Sequence, residues 1–115
     1  MKDKQKELIN KAAQYLRGKG YFVGDVPPLM GIDLIAFGED KNKPIFVTVG
    51  DASKVQSIPM NGFGYSKRAR DKAAKFVAAS KAWMDAHCLT KRCEYDAVWV
   101  DGEVVSHGVN INPIV

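Results

Sequence analysis

Asp33 lies in an apolar run, "GIDLIAF" at residues 31 to 37, with Ile32 and Leu34 on either side. A carboxylate in such a segment must reach the sheet surface or a cleft, because burying the charge without a partner is costly. Either it pairs with a lysine or arginine and is structural, or it is held there for chemistry. A second charged feature is "YSKRARDKAAK" at 65 to 75, where Lys67, Arg68, Arg70, Lys72 and Lys75 face one acid, Asp71, and Lys81 extends the series. On a helix such a run is a solvated face or a surface that tracks phosphates, with Tyr65 and Phe63 placed to stack on bases. His87, Cys88, Cys93 and His107 are zinc-type donors, yet they lack the tight paired spacing of a structural zinc site and read instead as small apolar and helix-end residues. Trp83 and Trp99 read as core, and "GFG" at 62 to 64 is too short for a phosphate loop.

The chain of 115 residues is long enough for one domain, taken as residues 1 to 115, with one buried core. Its composition, 46% hydrophobic and 26% charged, is that of a globular protein, and no run approaches the length of a membrane span. Met1 opens a polar, lysine-rich segment rather than an apolar leader, so the expected compartment is the cytoplasm and no membrane partner is expected. Two cysteines, Cys88 and Cys93, do not make a disulfide framework. The net charge of +4 is only mildly basic, so its distribution matters more than its size.

These groups need elements to position them. "DKQKELINKAAQYLR" at 3 to 17 carries Leu8, Ala12, Tyr15 and Leu16 at helical spacing, with Asp3 as the expected N-cap and "GKG" as the stop. "YFV" at 21 to 23 is a short strand, broken by "GDVPPLMG". "IDLIAF" and "IFVTV", joined by "GEDKNK", predict an antiparallel hairpin. Residues 51 to 65 read as a loop, and residues 66 to 87 as a long helix capped by Ser66, with Ala69, Ala73, Phe76, Val77, Ser80 and Met84 on its buried stripe. "CEYDAVWV", the turn residues Asp101 and Gly102, and "EVVSHGV" predict a second hairpin. The order implies an α/β fold, a mixed central sheet flanked by helices.

Taken together, "AAQYLRGKGYFV", "GIDLIAF", "PIFVTV", "KAAKFVAASKAWM" and "EYDAVWV" resemble the YraN-like family, small proteins of the PD-(D/E)XK nuclease fold related to archaeal Holliday junction resolvases. The likeness runs over roughly residues 9 to 107. Gly20 and Tyr21 fall on the family's Gly-Tyr after the first helix, and Asp33 on its strand aspartate, without the glutamate that often precedes the isoleucine. Lys72, Lys75 and Phe76 match the start of its second helix. Tyr95 with Asp96 match its R-F-D-V-V-type strand, with Glu94 in place of the arginine, and His107 matches a histidine of the last strand. The resemblance implies a restriction-endonuclease-like αβββαβ core and a DNA or RNA partner.

It also implies an E-x-K element at the end of the second hairpin strand, where this chain has Thr48, Val49 and Gly50. Phosphodiester cleavage at such a site needs clustered carboxylates around Mg²⁺ or Mn²⁺ and a lysine to orient water or stabilise developing charge. Glu7 does not fill the gap, since the acid of the family's first helix aligns with Ile9. The expectation is therefore a catalytically degenerate nuclease-fold protein that binds nucleic acid through Lys67, Arg68, Arg70, Lys72, Lys75 and Tyr65 and needs no cofactor. The alternative is an active nuclease in which Asp33 holds Mg²⁺ or Mn²⁺ together with Asp51, and Lys54 or Lys72 replaces the missing lysine. That alternative requires a bulge at Gly50, because strand alternation otherwise sends Asp51 to the face opposite Thr48. A third reading, an adaptor whose old cleft is a protein or homodimer contact, has no exposed apolar stripe to support it.

Overall fold

The computed structural model describes residues 2–24, 31–87, 89 and 92–114, the side chains of Lys2 and Asp3 excepted. Helix α1 spans Lys2–Gly18, so Asp3 lies within it rather than capping it. Leu8, Ala12, Ala13 and Leu16 fall on one stripe and are buried, as the helical period requires. Gly20, at φ +96°, ends the helix in a left-handed conformation that a side chain would resist. The Arg17 guanidinium then donates to the Val23 carbonyl through Nε at 3.1 Å and Nη2 at 2.8 Å, tying the helix end to the first strand.

The strands are β1 (Phe22–Val23), β2 (Leu34–Phe37), β3 (Pro44–Asp51), β4 (Glu94–Asp101) and β5 (Glu103–Gly108), and the second helix, α2, is Lys67–Ala86. They form one sheet in the order β1-β2-β3-β4-β5. Only the β3–β4 pair is parallel, with α2 as its crossover; the other three pairs are antiparallel. This is an α/β fold with a mixed sheet flanked by helices. Both central strands are buried along most of their length, as strands covered on two faces must be.

Alternation along β3 sends Ile45, Val47 and Val49 into the cluster under α1, with Leu34, Ala36, Val98 and Val100. Phe46 goes to the other face and packs with Ile32, Phe76 and Met84 under α2. Aromatic edges reinforce this second layer, with Phe46 against Trp83 at 5.6 Å and Phe76 against Tyr95 at 5.4 Å between ring centroids. Ser66 caps α2 through its Oγ, which accepts from the Ala69 N–H at 3.1 Å.

Three further local details differ from the sequence expectation. β2 begins at Leu34, because Asp33 and Ile32 leave the ladder. The segment after β3 is ordered: a 3₁₀ turn at Ala52–Lys54 is followed by a loop held by Asn61, which is buried. Its Oδ1 accepts from the Phe63 and Gly64 N–H groups at 3.0 and 2.7 Å, and its Nδ2 donates to the Gly64 carbonyl at 2.8 Å. Finally, Asp101 stays in β4, opposite Glu103, so Gly102 alone makes the turn. The prolines of "GDVPPLMG" lie outside the described residues.

Candidate functional site

Asp33 sits at the point where β2 peels away from β3. Its N–H still donates to the Val47 carbonyl at 3.3 Å, but its Oδ2, rather than a backbone carbonyl, accepts from the Val49 N–H at 2.7 Å. The carboxylate thus replaces a rung of the ladder. Burial raises its pKa above the ordinary aspartate value; the Val49 N–H, the Lys72 charge, the Gln5 side chain and the Thr48 hydroxyl pull in the opposite direction. Asp33 is therefore bracketed by both helices, Gln5 on α1 and Lys72 on α2, with Thr48 between them on β3. Nothing in the local sequence marks Gln5 as facing the sheet.

The alternative metal site depends on Asp51, and here the geometry runs against it. The β3–β4 register is continuous from Ile45 opposite Glu94 to Asp51 opposite Val100, with no bulge at Gly50. The sheet's one register shift falls between Trp99 and Val100, in the β4–β5 pair. Asp51 accordingly faces α1, where its Oδ2 lies 3.2 Å from Lys4 Nζ, while its Oδ1 accepts from the N–H and hydroxyl of Ser53. The Ser53 hydroxyl and Lys4 lower its pKa. Lys54 is exposed on the 3₁₀ turn. Among the described residues, no three His, Cys, Asp or Glu side chains converge on a position that could hold a metal ion.

Gly50 has a steric reason to be glycine. A Cβ added there would stand 2.5 Å from Cε3 and Cζ3 of Trp99, its register partner on β4. The Trp99 ring occupies the space into which any side chain at position 50 would grow. Trp99 is core, as expected, but its core position is the slot a lysine at residue 50 would need. The β3–β4 register creates this contact, and no local pattern announces it.

The basic residues of α2 do not share one face. At about 3.6 residues per turn, Arg68, Lys72 and Lys75 fall on one flank, Arg70 and Lys81 on the other, and Lys67 with Asp71 on the outermost face. The first flank is the one beside Asp33: Gly31 comes so close to α2 that a Cβ there would meet the Lys75 carbonyl oxygen at 3.3 Å and the Ala79 Cβ at 3.7 Å. All three of its cations are exposed. Of the two aromatic residues expected to stack on bases, Tyr65 is exposed, whereas the Phe63 ring lies 5.3 Å from that of Phe76 and belongs to the core.

The other end of the β3–β4 pair holds a polar pair under α1. Asp96 is fully buried; its Oδ2 lies 2.8 Å from His107 Nε2 and its Oδ1 accepts from the Asn110 N–H at 3.0 Å. His107 Nδ1 lies 3.4 Å from the Tyr15 hydroxyl. Burial opposes ionisation of Asp96, but His107, Glu94 and Asn110 outweigh it and lower its pKa; burial and the Asp96 carboxylate raise that of Glu94. His107 therefore belongs to the α1 face, while Cys93 packs in the cluster under α2, so these two zinc-type donors do not meet. His87 stacks on Trp83 at 3.9 Å, and Cys88 lies outside the described residues.

Comparison with protein-family models and with curated proteins finds no match to this chain.

Proposed function

We propose that this protein binds nucleic acid along the Arg68–Lys72–Lys75 flank of α2 and that the cleavage centre of its nuclease-like scaffold is degenerate. The observation that carries the reading is the alignment of three exposed cations on the flank beside Asp33, between the amino-terminal turns of α1 and α2. Three cations spaced along one helix suit successive phosphates. The segment order shared with the YraN-like family supports the same reading. So do Thr48 and Gly50 at the positions of the missing acid and lysine, where a neutral hydroxyl and the face of Trp99 give Mg²⁺ no carboxylate partner for Asp33.

Fluorescence anisotropy with labelled DNA and RNA oligonucleotides at low salt tests the reading. Binding that is lost in the Arg68→Ala/Lys72→Ala/Lys75→Ala variant is the expected result; no binding by the unaltered protein, or full binding by the variant, overturns it. Incubation of the same oligonucleotides with Mn²⁺ beside an Asp33→Ala control addresses the alternative. Intact substrate is expected, and cuts absent from the control would show that Asp33 works in a rebuilt metal site. Light scattering that finds a dimer in place of nucleic-acid binding would favour the adaptor reading.

A further inference from the structure

Resting on the nucleic-acid reading above, we propose that the ligand of this flank is single-stranded and that Tyr65 is the platform for one unpaired base. Tyr65 is 62% exposed and directly precedes Ser66, the cap of the helix that carries the cations. The chain is fixed on both sides of it. Phe63 is anchored on Phe76, Gly64 is bonded through both its N–H and carbonyl to Asn61, and Ser66 Oγ holds the Ala69 N–H. The loop is further seated by Gly62, at φ +84°, where a Cβ would meet Ile111 Cδ1 at 2.6 Å.

An aromatic residue whose flanking backbone is held this way has little backbone freedom left to lose when a base stacks on its ring, so the exposed ring area is available for binding. In a duplex the faces of the bases are covered by their neighbours; only an unpaired base can offer its face to Tyr65. Arg68 follows three positions later, at the head of the cationic flank and in the first turn of the helix that Tyr65 leads into. Met60, 88% exposed, and Ile58 lie earlier on the same loop and line a separate groove with Ala97, Trp99, Ser106 and Gly108, which leaves Tyr65 as the exposed aromatic ring next to the helix cap.

The test uses labelled oligothymidylate, oligouridylate and a mixed-sequence duplex, each of about 12 units, which matches the site size of single-strand binders. Both single strands should bind more tightly than the duplex. Tyr65→Ala should weaken single-strand binding about 5- to 150-fold, the range for losing one stacked base, while Tyr65→Phe keeps it and the salt slope stays the same. The two single-stranded arms separate DNA from RNA. Duplex binding as tight as single-strand binding, unchanged in Tyr65→Ala, overturns the single-strand inference and leaves the phosphate-binding reading standing. Absence of binding to all three probes overturns both.

Discussion

Asp33 has been given two tasks by its surroundings: its carboxylate satisfies the Val49 N–H, which is buried in the sheet, and it carries a charge that burial disfavours. Its folded-state pKa is raised, so its contribution to stability is fully present below the unfolded value, near 3.8, and is lost as pH rises through the higher folded value. Asp33→Asn keeps an acceptor for Val49 and removes the charge. Thermal unfolding of that variant should show stability at neutral pH equal to or above that of the parent, with a flatter profile above pH 3.8. Asp33→Ala should instead cost about 1–3 kcal/mol, because a buried N–H is left without a partner. Asp96 has the opposite sign: its pKa is lowered, so its stabilisation is present above 3.8 and disappears as pH falls through the lower folded value. His107→Ala should weaken that dependence, since Glu94 and Asn110 still lower the Asp96 pKa, and should destabilise the fold by about 1–3 kcal/mol, read from urea midpoints.

At the scale of elements, both helices were legible because their apolar positions recur with the helical period and glycine or serine marks an end. The strands were legible from alternation and from turn residues, and with them the mixed sheet. What is not legible has more than one physical origin, pairing between distant segments among them. β2 starts two residues later than "IDLIAF" suggests because Asp33 substitutes a side-chain oxygen for a backbone one. The segment at 51 to 65 read as a loop, but its order comes from Asn61, whose turn-forming bonds are invisible until its burial is known. The basic series forms one run in sequence, whereas the helical period divides it between two flanks, and Phe63, an expected stacking ring, packs on Phe76. Within α2, Ser66→Ala should cost about 1 kcal/mol through loss of the cap. Gly50→Ala should cost about 1–3 kcal/mol from the clash with Trp99, measured by chemical denaturation.

For the whole molecule, the two ends of the central strand pair have different characters. One end, framed by the amino-terminal turns of both helices, carries Asp33 and the cationic flank; the other holds the Asp96–His107 pair beside a cleft of about 610 Å³ lined by Lys19, Tyr21, Lys43 and Glu94. Among the described residues, no helix is long and apolar enough to cross a membrane. With a net charge of +4, the molecule as a whole attracts polyanions only weakly, so the local arrangement must supply any phosphate affinity. If Arg68, Lys72 and Lys75 each neutralise one phosphate, the logarithm of the single-strand binding constant should fall with the logarithm of salt at a slope of about −2, since each contributes about −0.7. Arg70→Ala/Lys81→Ala, on the far flank, should leave that slope in place, whereas Lys72→Ala should reduce it by about 0.7.

The contact between Gly50 and Trp99 also dictates the order in which substitutions can be combined. Gly50→Lys made first must drive a side chain into an indole ring, so it is penalised before it can do anything useful. Trp99→Ala made first opens the space and carries its own loss of packing, after which the lysine can enter. The two changes are thus tied by epistasis: the same lysine is harmful beside Trp99 and tolerated without it, so an attempt to install a lysine at residue 50 must begin on β4, on a strand that does not contain that position.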